Sequence, residues 1–451
     1  MGRIFGTDGA RGIANTELTC ELAMSIGRSA AFTLTRHNKH KAKILIGKDT
    51  RISGDMLESA LAAGMCSMGA DVVLVGVIPT PAVAFLVRKL KADAGVVISA
   101  SHNPMEFNGI KLFSSEGYKL PDDIENEIES YILDHPEKLP LESGDVIGRV
   151  SRYDNAVEDY VSCIRSFVDC NLSGMTVAID CANGAAVEPA RSLFTGMGAR
   201  CVFTADSPDG INVNAGVGST HLENIKKTVA DSHADIGIAF DGDADRCLAV
   251  DENGKEIDGD KIIAIFAEHL KEQGKLSRDT VVVTVMTNLG FIDFCRRRGI
   301  KAVRTAVGDR YVLEEMRSHG YCLGGEQSGH IILGDYATTG DGELTAALLL
   351  SILKQSGKKA SALAEDLVPY PQILVNVRTT NEGKQRFRDD EELQGFIEAQ
   401  QQELFDTGRV LVRLSGTEPL IRVMVEGRDS NKIEEIAHLI ENKIIERISL
   451  K

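Results

Sequence analysis

Short apolar runs alternate with segments of helical periodicity from residue 43 onward. The apolar runs 43–47, 72–75 and 94–98 predict strands, and the segments 53–68 and 81–90 predict helices between them. Strands that alternate with helices in this way are typical of parallel strand pairing with helices packed on the sheet. The first part of the chain therefore predicts an α/β fold.

The same alternation continues through the middle of the chain. Strands are predicted at 175–179, 201–204, 235–240, 281–285 and 301–305, and helices at 186–194, 221–230, 260–272, 289–298, 310–318 and 342–354. The strands 247–251 and 255–257 flank Glu252-Asn253-Gly254. Because Asn-Gly suits a tight two-residue turn, these two strands predict a hairpin.

Domain boundaries are predicted where this alternation of strands and helices changes. The run 121–151 is acidic, contains three prolines and is typical of a helix followed by a linker, and Pro369 and Pro371 mark another linker. The pattern then becomes α+β, with a helix at 391–405, strands at 410–414 and 420–425 and a terminal amphipathic helix. The predicted domains are residues 1–152, 153–257, 258–368 and 369–451.

The composition limits the classes of partner. The 451 residues carry a formal net charge of −16, which argues against a nucleic-acid binder or a basic membrane-surface protein, because both need a cationic face. Aromatic residues make up only 5%, with no Trp, so stacking platforms for bases or glycans are not expected. An anionic substrate must then be held by a local cluster of cations.

Cysteine usage and the apolar pattern predict a cytoplasmic protein. The nine cysteines form no CxxC pair, so zinc sites and a disulfide framework are poorly supported and a reducing compartment fits best. The first thirteen residues contain no apolar signal-peptide core. The longest apolar stretch, 72–87, is interrupted by Gly76, Pro79 and Pro81 and is too short to span a bilayer.

The standard nucleotide-binding signatures are missing from the sequence. It contains no GxxxxGK[ST] motif, no GxGxxG after a predicted strand and no GxSxG. A nucleotide cofactor is therefore not indicated.

The motif DGDADR directly follows the predicted strand 235–240. Asp241, Asp243 and Asp245 thus come at the carboxyl end of a strand, where open α/β sheets bind ligands. Three carboxylates so close together repel one another unless a cation neutralises them, and oxygen ligands suit Mg²⁺. A solvated acidic turn is the alternative. An EF-hand is discounted, because Arg246 stands where its loop needs Gly.

The segment SASHNP (99–104) follows the predicted strand 94–98. Pro104 favours an extended conformation at Asn103, which predicts a short exposed loop. A serine hydroxyl in such a loop is a candidate nucleophile or phosphoryl carrier. Taken alone, the segment is more typical of a capped turn.

Two segments that contain glycine are candidate anion sites. FGTDGARG (5–12) combines three glycines with Arg11, so backbone N–H groups and a guanidinium can approach an anion together. RLSGTEP (413–419), followed by Arg422, offers two guanidinium groups and two hydroxyls between two predicted strands. The alternatives are a plain turn for the first segment and an exposed hairpin tip for the second.

The loop GEQSGH (325–330) is a weaker signal. Glu326 and Ser328 carry groups that can bind sugar hydroxyls, and His330 can transfer a proton.

Taken together and in this order, the motifs resemble those of the α-D-phosphohexomutase superfamily along the whole chain. The resemblance rests on FGTDGARG, ISASHNP (98–104), DGDADR, VGDRYV (307–312), GEQSGH, TTGDGE (338–343) and RLSGTEPLIRVMVEG (413–427). It implies three similar α/β domains with mixed sheets covered by helices and a smaller C-terminal α+β domain, in a heart shape around a central cleft.

The resemblance also implies a role for each motif. Ser101 matches the serine that carries the phosphoryl group, and Asp241, Asp243 and Asp245 match the ligands of one Mg²⁺, with an oxygen of the phosphoserine completing the site. Lys111 matches the proton-transfer residue. Further catalytic candidates are His330, Arg11, His102 and Arg246. Substrate-binding candidates are Glu326, Ser328, Gly308, Asp309 and Arg310, and phosphate-binding candidates are Arg413, Ser415, Gly416, Thr417 and Arg422.

The activity that the resemblance implies is isomerisation of a hexose 6-phosphate to its 1-phosphate. It proceeds through a hexose 1,6-bisphosphate, which also serves as activator. The motifs are most similar to those of members that act on glucosamine phosphates, for UDP-N-acetylglucosamine and cell-wall synthesis, with glucose or mannose phosphates as alternative substrates. A non-catalytic phosphosugar-binding protein and a phosphatase are alternatives from other classes. The expected partner is a phosphosugar, and a homodimer is left open.

Two positions depart from the family pattern. Met105-Glu106-Phe107 replaces the aromatic and the acidic or His positions that often precede Asn-Gly, and Leu414 stands where a Lys or Arg is common. Neither change removes a catalytic group, but the second is expected to weaken phosphate binding.

Overall fold

The chain divides into two compact units. The computed structural model describes residues 2–6, 8–414 and 419–448. The larger unit comprises residues 1–286 and 298–366, and the smaller unit comprises residues 287–297 and 367–451.

The first sheet of the larger unit mixes parallel and antiparallel strands. The elements of this region are β1 (Phe5–Gly6), β2 (Gly9–Ile13), α1 (Cys20–Thr35), β3 (Lys43–Lys48), α2 (Gly54–Ser67), β4 (Asp71–Val77), α3 (Thr80–Lys89), β5 (Ala94–Ile98), β6 (Phe107–Ser114), α4 (Asp122–Leu133) and β7 (Val150–Arg152). The strand order is β1-β2-β6-β5-β3-β4-β7. β3 is parallel to β4 and β5, whereas β6 is antiparallel to β5 and β2.

Helices cover both faces of this sheet because its central strands are apolar on both sides. Ile44 and Ile46 of β3 belong to a core that includes residues of α1, α2 and α4. On the other face, a Cβ on Gly95 would lie 2.5 Å from a methyl carbon of Val87 and 3.2 Å from one of Val83, both in α3. Every residue of β5 is buried, as expected for a strand covered on both sides.

Five elements of this region, β1, β2, α1, β6 and β7, lie outside the predictions from sequence. α1 occupies a stretch for which no element was predicted, and the Thr19 side chain caps it by accepting a hydrogen bond from the Leu22 N–H at 3.2 Å. β7 lies at the end of the predicted linker and returns to the sheet parallel to β4. All three residues of β7 are exposed, so its sequence shows no apolar alternation.

The larger unit contains two further sheets within its described residues. The elements from residue 156 to residue 363 are α5 (Ala156–Phe167), β8 (Thr176–Asp180), α6 (Val187–Gly196), β9 (Arg200–Thr204), α7 (Glu223–Ser232), β10 (Ile236–Phe240), β11 (Cys247–Asp251), β12 (Glu256–Ile257), α8 (Gly259–Glu272), β13 (Thr280–Thr284), α9 (Leu289–Arg298), β14 (Lys301–Thr305), α10 (Asp309–His319), β15 (Leu323–Gly325), β16 (Ile331–Leu333), α11 (Gly342–Ser356) and α12 (Ala360–Leu363). The strand orders are β12-β11-β10-β8-β9 and β14-β13-β15-β16.

The predicted hairpin between β11 and β12 is confirmed, with the three residues 252–254 as its loop rather than a two-residue Asn-Gly turn. The Asp251 N–H donates to the Lys255 carbonyl at 2.9 Å, which leaves three residues in the loop. Gly254 closes the loop in the left-handed region at φ 82°. A three-residue loop that ends in a left-handed glycine is the next common way to connect two antiparallel strands.

The smaller unit is an antiparallel sheet with helices. Its elements are β17 (Gln372–Arg378), α13 (Asn381–Asp389), α14 (Glu391–Glu403), β18 (Gly408–Leu414), β19 (Leu420–Gly427) and α15 (Ser430–Ile448). The strand order is β17-β19-β18. Alternate residues of β19, such as Ile421 and Val423, pack with Ile436 and Ile440 of α15 in one buried core.

Most of α9 belongs to the smaller unit, although its sequence lies within the predicted domain 258–368. The Leu289 N–H donates to a carboxylate oxygen of Glu426 at 2.8 Å. The Asn288 side chain donates to the Tyr370 carbonyl at 3.0 Å and accepts from the Tyr370 N–H at 2.8 Å. The apolar pattern of the sequence predicts the helix, but these polar contacts place it with the residues of the smaller unit.

The expected fold class of α/β regions with mixed sheets and a smaller C-terminal α+β region is confirmed. Among the residues described, no helix is both long and apolar enough to cross a membrane.

Candidate active site

Ser101 lies directly beyond the carboxyl end of β5 in a constrained conformation. Its backbone has φ 51°, in the left-handed region, and the residue is 1% exposed. Its carbonyl oxygen accepts hydrogen bonds from Arg51 Nη2 at 3.0 Å and from Asn214 Nδ2 at 2.8 Å. Its N–H donates to Ser99 Oγ at 2.9 Å. These contacts fix the loop. Its first part, residues 99–101, is buried rather than exposed as the sequence predicted, whereas Pro104 is exposed.

Arg51 holds the rest of this loop. Its guanidinium also donates to the carbonyl oxygens of Asn103 at 2.7 Å and Pro104 at 2.6 Å. Asp49 lies 2.9 Å from Arg51 Nε, and both side chains are fully buried. Because a buried guanidinium needs both a counter-ion and acceptors, this arrangement satisfies its charge and its N–H groups together.

The acidic loop after β10 meets the Ser101 loop. Ser101 Oγ donates a hydrogen bond to Asp241 Oδ2 at 2.6 Å. A Cβ on Gly242 would lie 2.6 Å from the Ser101 carbonyl oxygen and 2.9 Å from Asn214 Nδ2. The close approach of the two loops therefore requires glycine between the first two aspartates.

Asp241, Asp243 and Asp245 form a buried group that fits a divalent cation. One carboxylate oxygen from each lies within 4.8 Å of the others. The Oδ1 atoms of Asp243 and Asp245 are buried and have no hydrogen-bond partner among the described residues. Burial and the charges of Asp245 and Asp243 raise the pKa of Asp241 to about 8. Three oxygen donors and a surplus of negative charge suit Mg²⁺.

Lys111 of β6 reaches this group from the neighbouring sheet. Its Nζ lies 2.7 Å from Asp243 Oδ2, 3.4 Å from Asp245 Oδ2 and 3.2 Å from Asp8 Oδ2. Burial alone would lower the pKa of Lys111, but the three carboxylates outweigh it and hold the pKa well above the usual range. Thr80 Oγ1 also donates to Asp243 Oδ2, at 2.6 Å.

Two arginines and a histidine surround the Ser101 hydroxyl. Arg246 Nε lies 4.0 Å from Asp241 Oδ2 and 3.8 Å from Asp245 Oδ1. Arg11 pairs with Asp8 and lies 3.4 Å from the Ala100 carbonyl oxygen. His102 Nδ1 lies 3.4 Å from Ser101 Oγ. Burial and the charges of Arg246 and Arg11 lower the pKa of His102 to about 4, so this imidazole is neutral at neutral pH.

His330 lies near two carboxylates, Asp245 and Asp309. Its Nδ1 is 3.6 Å from Asp245 Oδ2, and its Nε2 is 3.4 Å from Asp309 Oδ2. The Gly340 N–H donates to Nε2 at 3.0 Å. Burial lowers the pKa of His330, but the carboxylates of Asp245 and Asp309 outweigh it and raise the pKa.

The predicted sugar-binding residues divide into three environments. The Gly308 N–H donates to Glu326 Oε1 at 3.1 Å, so these two lie together. Arg310 turns instead to α4, where its guanidinium pairs with Asp122. Ser328 is exposed.

The predicted phosphate-binding residues lie in the smaller unit. Arg413 of β18 and Arg422 of β19 are directly opposite in the antiparallel register, so their side chains share one face of the sheet. Like charges at opposite positions repel, and an anion between them would relieve that repulsion. Ser415, Gly416 and Thr417 lie outside the described residues.

Several residues of the site were missed in the sequence. Arg51 and Asp49 follow β3 at the same sheet edge as Ser101, and this position was a signal that could have found them. Asp8 lies within a motif that was singled out only for its glycines and Arg11. Asn214 and Lys119 lie in segments without a recognisable pattern, and only the fold brings them to the site.

Models of four domains of one protein family match successive parts of this chain. Phosphoglucomutase/phosphomannomutase α/β/α domain I matches residues 2–138, domain II residues 158–254, domain III residues 258–370 and the C-terminal domain residues 374–443. The chain belongs to the phosphoglucomutase/phosphomannomutase family. The resemblance inferred from the motifs is thereby confirmed.

Relatives and solved structures cover almost the whole chain. The phosphoglucosamine mutase of Acetivibrio thermocellus is 54% identical over 99% of this chain and 100% of its own length. That of Clostridium acetobutylicum is also 54% identical, over 98% of this chain and 100% of its own length. A phosphoglucomutase/phosphomannomutase family protein from Burkholderia thailandensis is 26% identical, with a TM-score of 0.81 over 99% of this chain and 98% of its own.

An N-acetylphosphoglucosamine mutase from Aspergillus fumigatus, solved in complex with GlcNAc-6P and magnesium, is more distant. It is 16% identical, with a TM-score of 0.69 over 100% of this chain and 96% of its own. This similarity shows the shared fold.

Proposed function

We propose that this protein is an isomerase that interconverts glucosamine 6-phosphate and glucosamine 1-phosphate. The family membership supports phosphosugar isomerisation, and relatives that are 54% identical over nearly the whole chain are phosphoglucosamine mutases. The observation that carries the proposal is the buried Ser101 hydroxyl, 2.6 Å from Asp241 at the edge of three clustered carboxylates. Phosphoryl transfer needs such a nucleophile beside a cation site.

In the proposed reaction, Ser101 carries a phosphoryl group at the start. The phosphorus–oxygen bond to Ser101 Oγ breaks as a bond forms to a free hydroxyl of the sugar monophosphate, which gives a hexose 1,6-bisphosphate. The bisphosphate then turns round, and its other phosphoryl group returns to Ser101. One Mg²⁺ held by Asp241, Asp243 and Asp245 would offset the negative charge of the phosphoryl group. Arg246 supplies further positive charge beside these carboxylates.

The proton of the attacking hydroxyl must be removed and later restored. Lys111 and His330 are the proposed groups on the resemblance of their motifs to those of the family, and their nitrogens lie 3.4 and 3.6 Å from the same oxygen, Asp245 Oδ2. Both side chains are almost fully buried, so water competes little for their protons. Arg11 and the neutral His102 flank Ser101 and orient the phosphoryl group.

The remaining predicted residues would hold the sugar and its second phosphate. Glu326, Ser328, Gly308, Asp309 and Arg310 are proposed for the sugar, and Arg413, Ser415, Gly416, Thr417 and Arg422 for the phosphate that does not react.

The direct test of this function is ³¹P NMR of the purified protein with Mg²⁺ and a trace of hexose 1,6-bisphosphate. Glucosamine, glucose and mannose 6-phosphates are supplied in parallel, beside a Ser101→Ala variant. We expect the 1-phosphate signal to grow fastest from glucosamine 6-phosphate and not to grow with the variant. A preference for glucose or mannose phosphate would make the protein a different hexose mutase.

The same spectra separate the alternatives from other classes. Release of inorganic phosphate in place of a 1-phosphate would indicate a phosphatase. Unchanged spectra with a wild-type protein phosphorylated on Ser101 would indicate a phosphosugar-binding protein.

The proposed setting is the cytoplasm, where the product would supply UDP-N-acetylglucosamine and cell-wall synthesis. A homodimer stays a prediction.

A further inference from the structure

Five charged side chains and the imidazole of His330 form a closed ring that includes one of the three aspartates, Asp245. The members of this charge ring, in order, are Asp245, Lys111, Asp8, Lys119, Asp309 and His330. Acidic and basic groups alternate around it. The side chains come from three separate parts of the sequence, each matched by a different domain model of the family.

Lys119 closes the ring at the point farthest from the aspartate group. Its Nζ contacts Asp8 Oδ1 and lies 2.6 Å from Asp309 Oδ2. Its side chain is 12% exposed. The backbone of Lys119 is fixed by a bridge to Phe113 of β6, just after a tight turn.

Asp309 contacts both Lys119 and His330. Asp309 Oδ2 is the atom that both Lys119 Nζ and His330 Nε2 approach, at 2.6 and 3.4 Å. Asp309 is also the first residue of α10, next to Gly308, whose N–H donates to Glu326. The position of this one carboxylate therefore affects both the imidazole and the start of the predicted sugar-binding segment.

Removal of Lys119 would affect its two partners unequally. Asp8 also pairs with Lys111 and Arg11, so it would remain compensated. Among the ion pairs of the described residues, Asp309 would retain only the one with His330. A carboxylate in so buried a place moves toward its remaining cation or toward water, because an uncompensated buried charge is costly.

We propose that Lys119 is a positioning residue of the active site, which holds Asp309 and thereby the imidazole of His330. The role in catalysis rests on the proposed function, since it is the mutase reaction that would use His330. Lys119 itself contacts none of the three aspartates proposed to bind the metal. It therefore acts through Asp309.

The test compares Lys119→Met and Lys119→Arg with a matched control, Lys48→Met. Lys48 is 13% exposed and pairs with two carboxylates, Asp55 and Glu58, both at 2.6 Å. Lys48→Met therefore removes a similar arrangement of ion pairs in another part of the protein. ¹⁵N-labelled imidazole NMR reports the ring of His330, assigned by the signal that disappears in His330→Gln. Steady-state kinetics with glucosamine 6-phosphate and thermal unfolding are measured on the same samples.

We expect Lys119→Met to shift the His330 ring signals and to lower kcat about ten- to hundredfold, with a smaller change in KM. Lys119→Arg should restore part of the rate, because a guanidinium can bridge the same two carboxylates. Lys48→Met should leave the His330 signals and kcat unchanged.

Unmoved His330 signals in Lys119→Met would overturn the proposal, whatever the activity. The proposal would also be overturned if Lys119→Met and Lys48→Met lost the same share of kcat at an equal loss of thermal stability. If the wild-type protein isomerises no hexose phosphate while Lys119→Met still shifts the His330 signals, the proposed function fails and the structural link from Lys119 to His330 stands.

Discussion

Ser101 is held in a backbone conformation that costs a non-glycine residue free energy. Its φ of 51° lies in the left-handed region, which disfavours a side chain by about 1–2 kcal/mol. Hydrogen bonds from Arg51 and Asn214 to its carbonyl oxygen keep it there. In this strained conformation the Ser101 hydroxyl donates a hydrogen bond to Asp241. The fold therefore loses some stability in order to place this hydroxyl.

Two variants separate this strain from the lost hydroxyl. Ser101→Ala and Ser101→Gly both remove the hydrogen bond to Asp241, but only glycine is free of the left-handed penalty. We expect Ser101→Gly to unfold at a higher urea concentration than Ser101→Ala. The free energy of unfolding of the glycine variant should be about 1 kcal/mol higher. A less stable glycine variant would show that the backbone here is not strained.

The aspartates give a second prediction for single residues. Asp243→Asn should weaken Mn²⁺ binding, measured by the electron paramagnetic resonance of the free ion, about tenfold or more, because one charged ligand is lost. Asp180→Asn is the control, since Asp180 is also a fully buried carboxylate, at the end of the neighbouring strand β8, and accepts hydrogen bonds from Ala182 and Asn224. Equal Mn²⁺ affinity in both variants would indicate that the cation binds at another site.

At the scale of elements, α11 supports the acidic loop. The Gly342 N–H donates to the Ala244 carbonyl at 3.0 Å, and Asp341 caps the helix by accepting from the Leu344 N–H at 2.9 Å. Asp341 also accepts from the Tyr160 hydroxyl at 2.7 Å. Glu343 in the first turn is fully buried, and its carboxylate oxygens have no hydrogen-bond partner among the described residues.

Glu343 should make the stability of this region depend on pH. Burial and the charge of Asp341 raise the pKa of Glu343 well above its usual range, so the folded state keeps a proton that the unfolded state loses above about pH 4.5. Stability from this group is therefore complete at low pH and falls as pH rises, by about 1.4 kcal/mol per pH unit.

Thermal unfolding from pH 5 to pH 8 checks this expectation. The wild-type protein should lose more stability over that range than Glu343→Gln, whose side chain does not titrate. Parallel curves for the two proteins would mean that Glu343 ionises normally in the fold.

Three of the strands that the sequence did not predict share a physical reason. β5, β10 and β13 have clear apolar patterns, and their predicted bounds agree with the structure within a residue. β7 and the pair β15 and β16 are only three residues long, and β7 is exposed. Such short strands are defined by pairing with distant segments, which local periodicity does not report.

The site was predictable to the extent that its residues lie in recognisable motifs. Ser101 and the three aspartates could be named in advance, and the fold brings them together. Lys119 could not, because its importance comes from the carboxylates that tertiary packing places around it.

At the scale of the whole molecule, the proposed chemistry divides its residues between the two units. Ser101, the three aspartates, Lys111 and His330 belong to the larger unit, whereas Arg413 and Arg422 belong to the smaller. The net charge of −16 would repel an anionic sugar phosphate, so local arginines must supply its attraction.

This division predicts that substrate binding and metal binding can be changed separately. Arg422→Met should raise KM for glucosamine 6-phosphate about ten- to hundredfold, the loss of one charge-assisted contact, and leave Mn²⁺ affinity unchanged. Arg386→Met, at an exposed position of the same unit, is the control and should change neither. An unchanged KM in Arg422→Met would remove this residue from the phosphate site.

The central claim is that Ser101 carries the phosphoryl group during turnover. The most direct measurement starts from protein phosphorylated on Ser101, mixed with an equal amount of glucosamine 6-phosphate and Mg²⁺ and quenched at intervals. Mass spectrometry of the Ser101 peptide and ³¹P NMR of the sugars then follow the phosphate. We predict that Ser101 loses its phosphate as a hexose 1,6-bisphosphate appears, no more slowly than the 1-phosphate forms. Formation of glucosamine 1-phosphate while Ser101 stays fully phosphorylated, without exchange of that phosphate, would contradict the account.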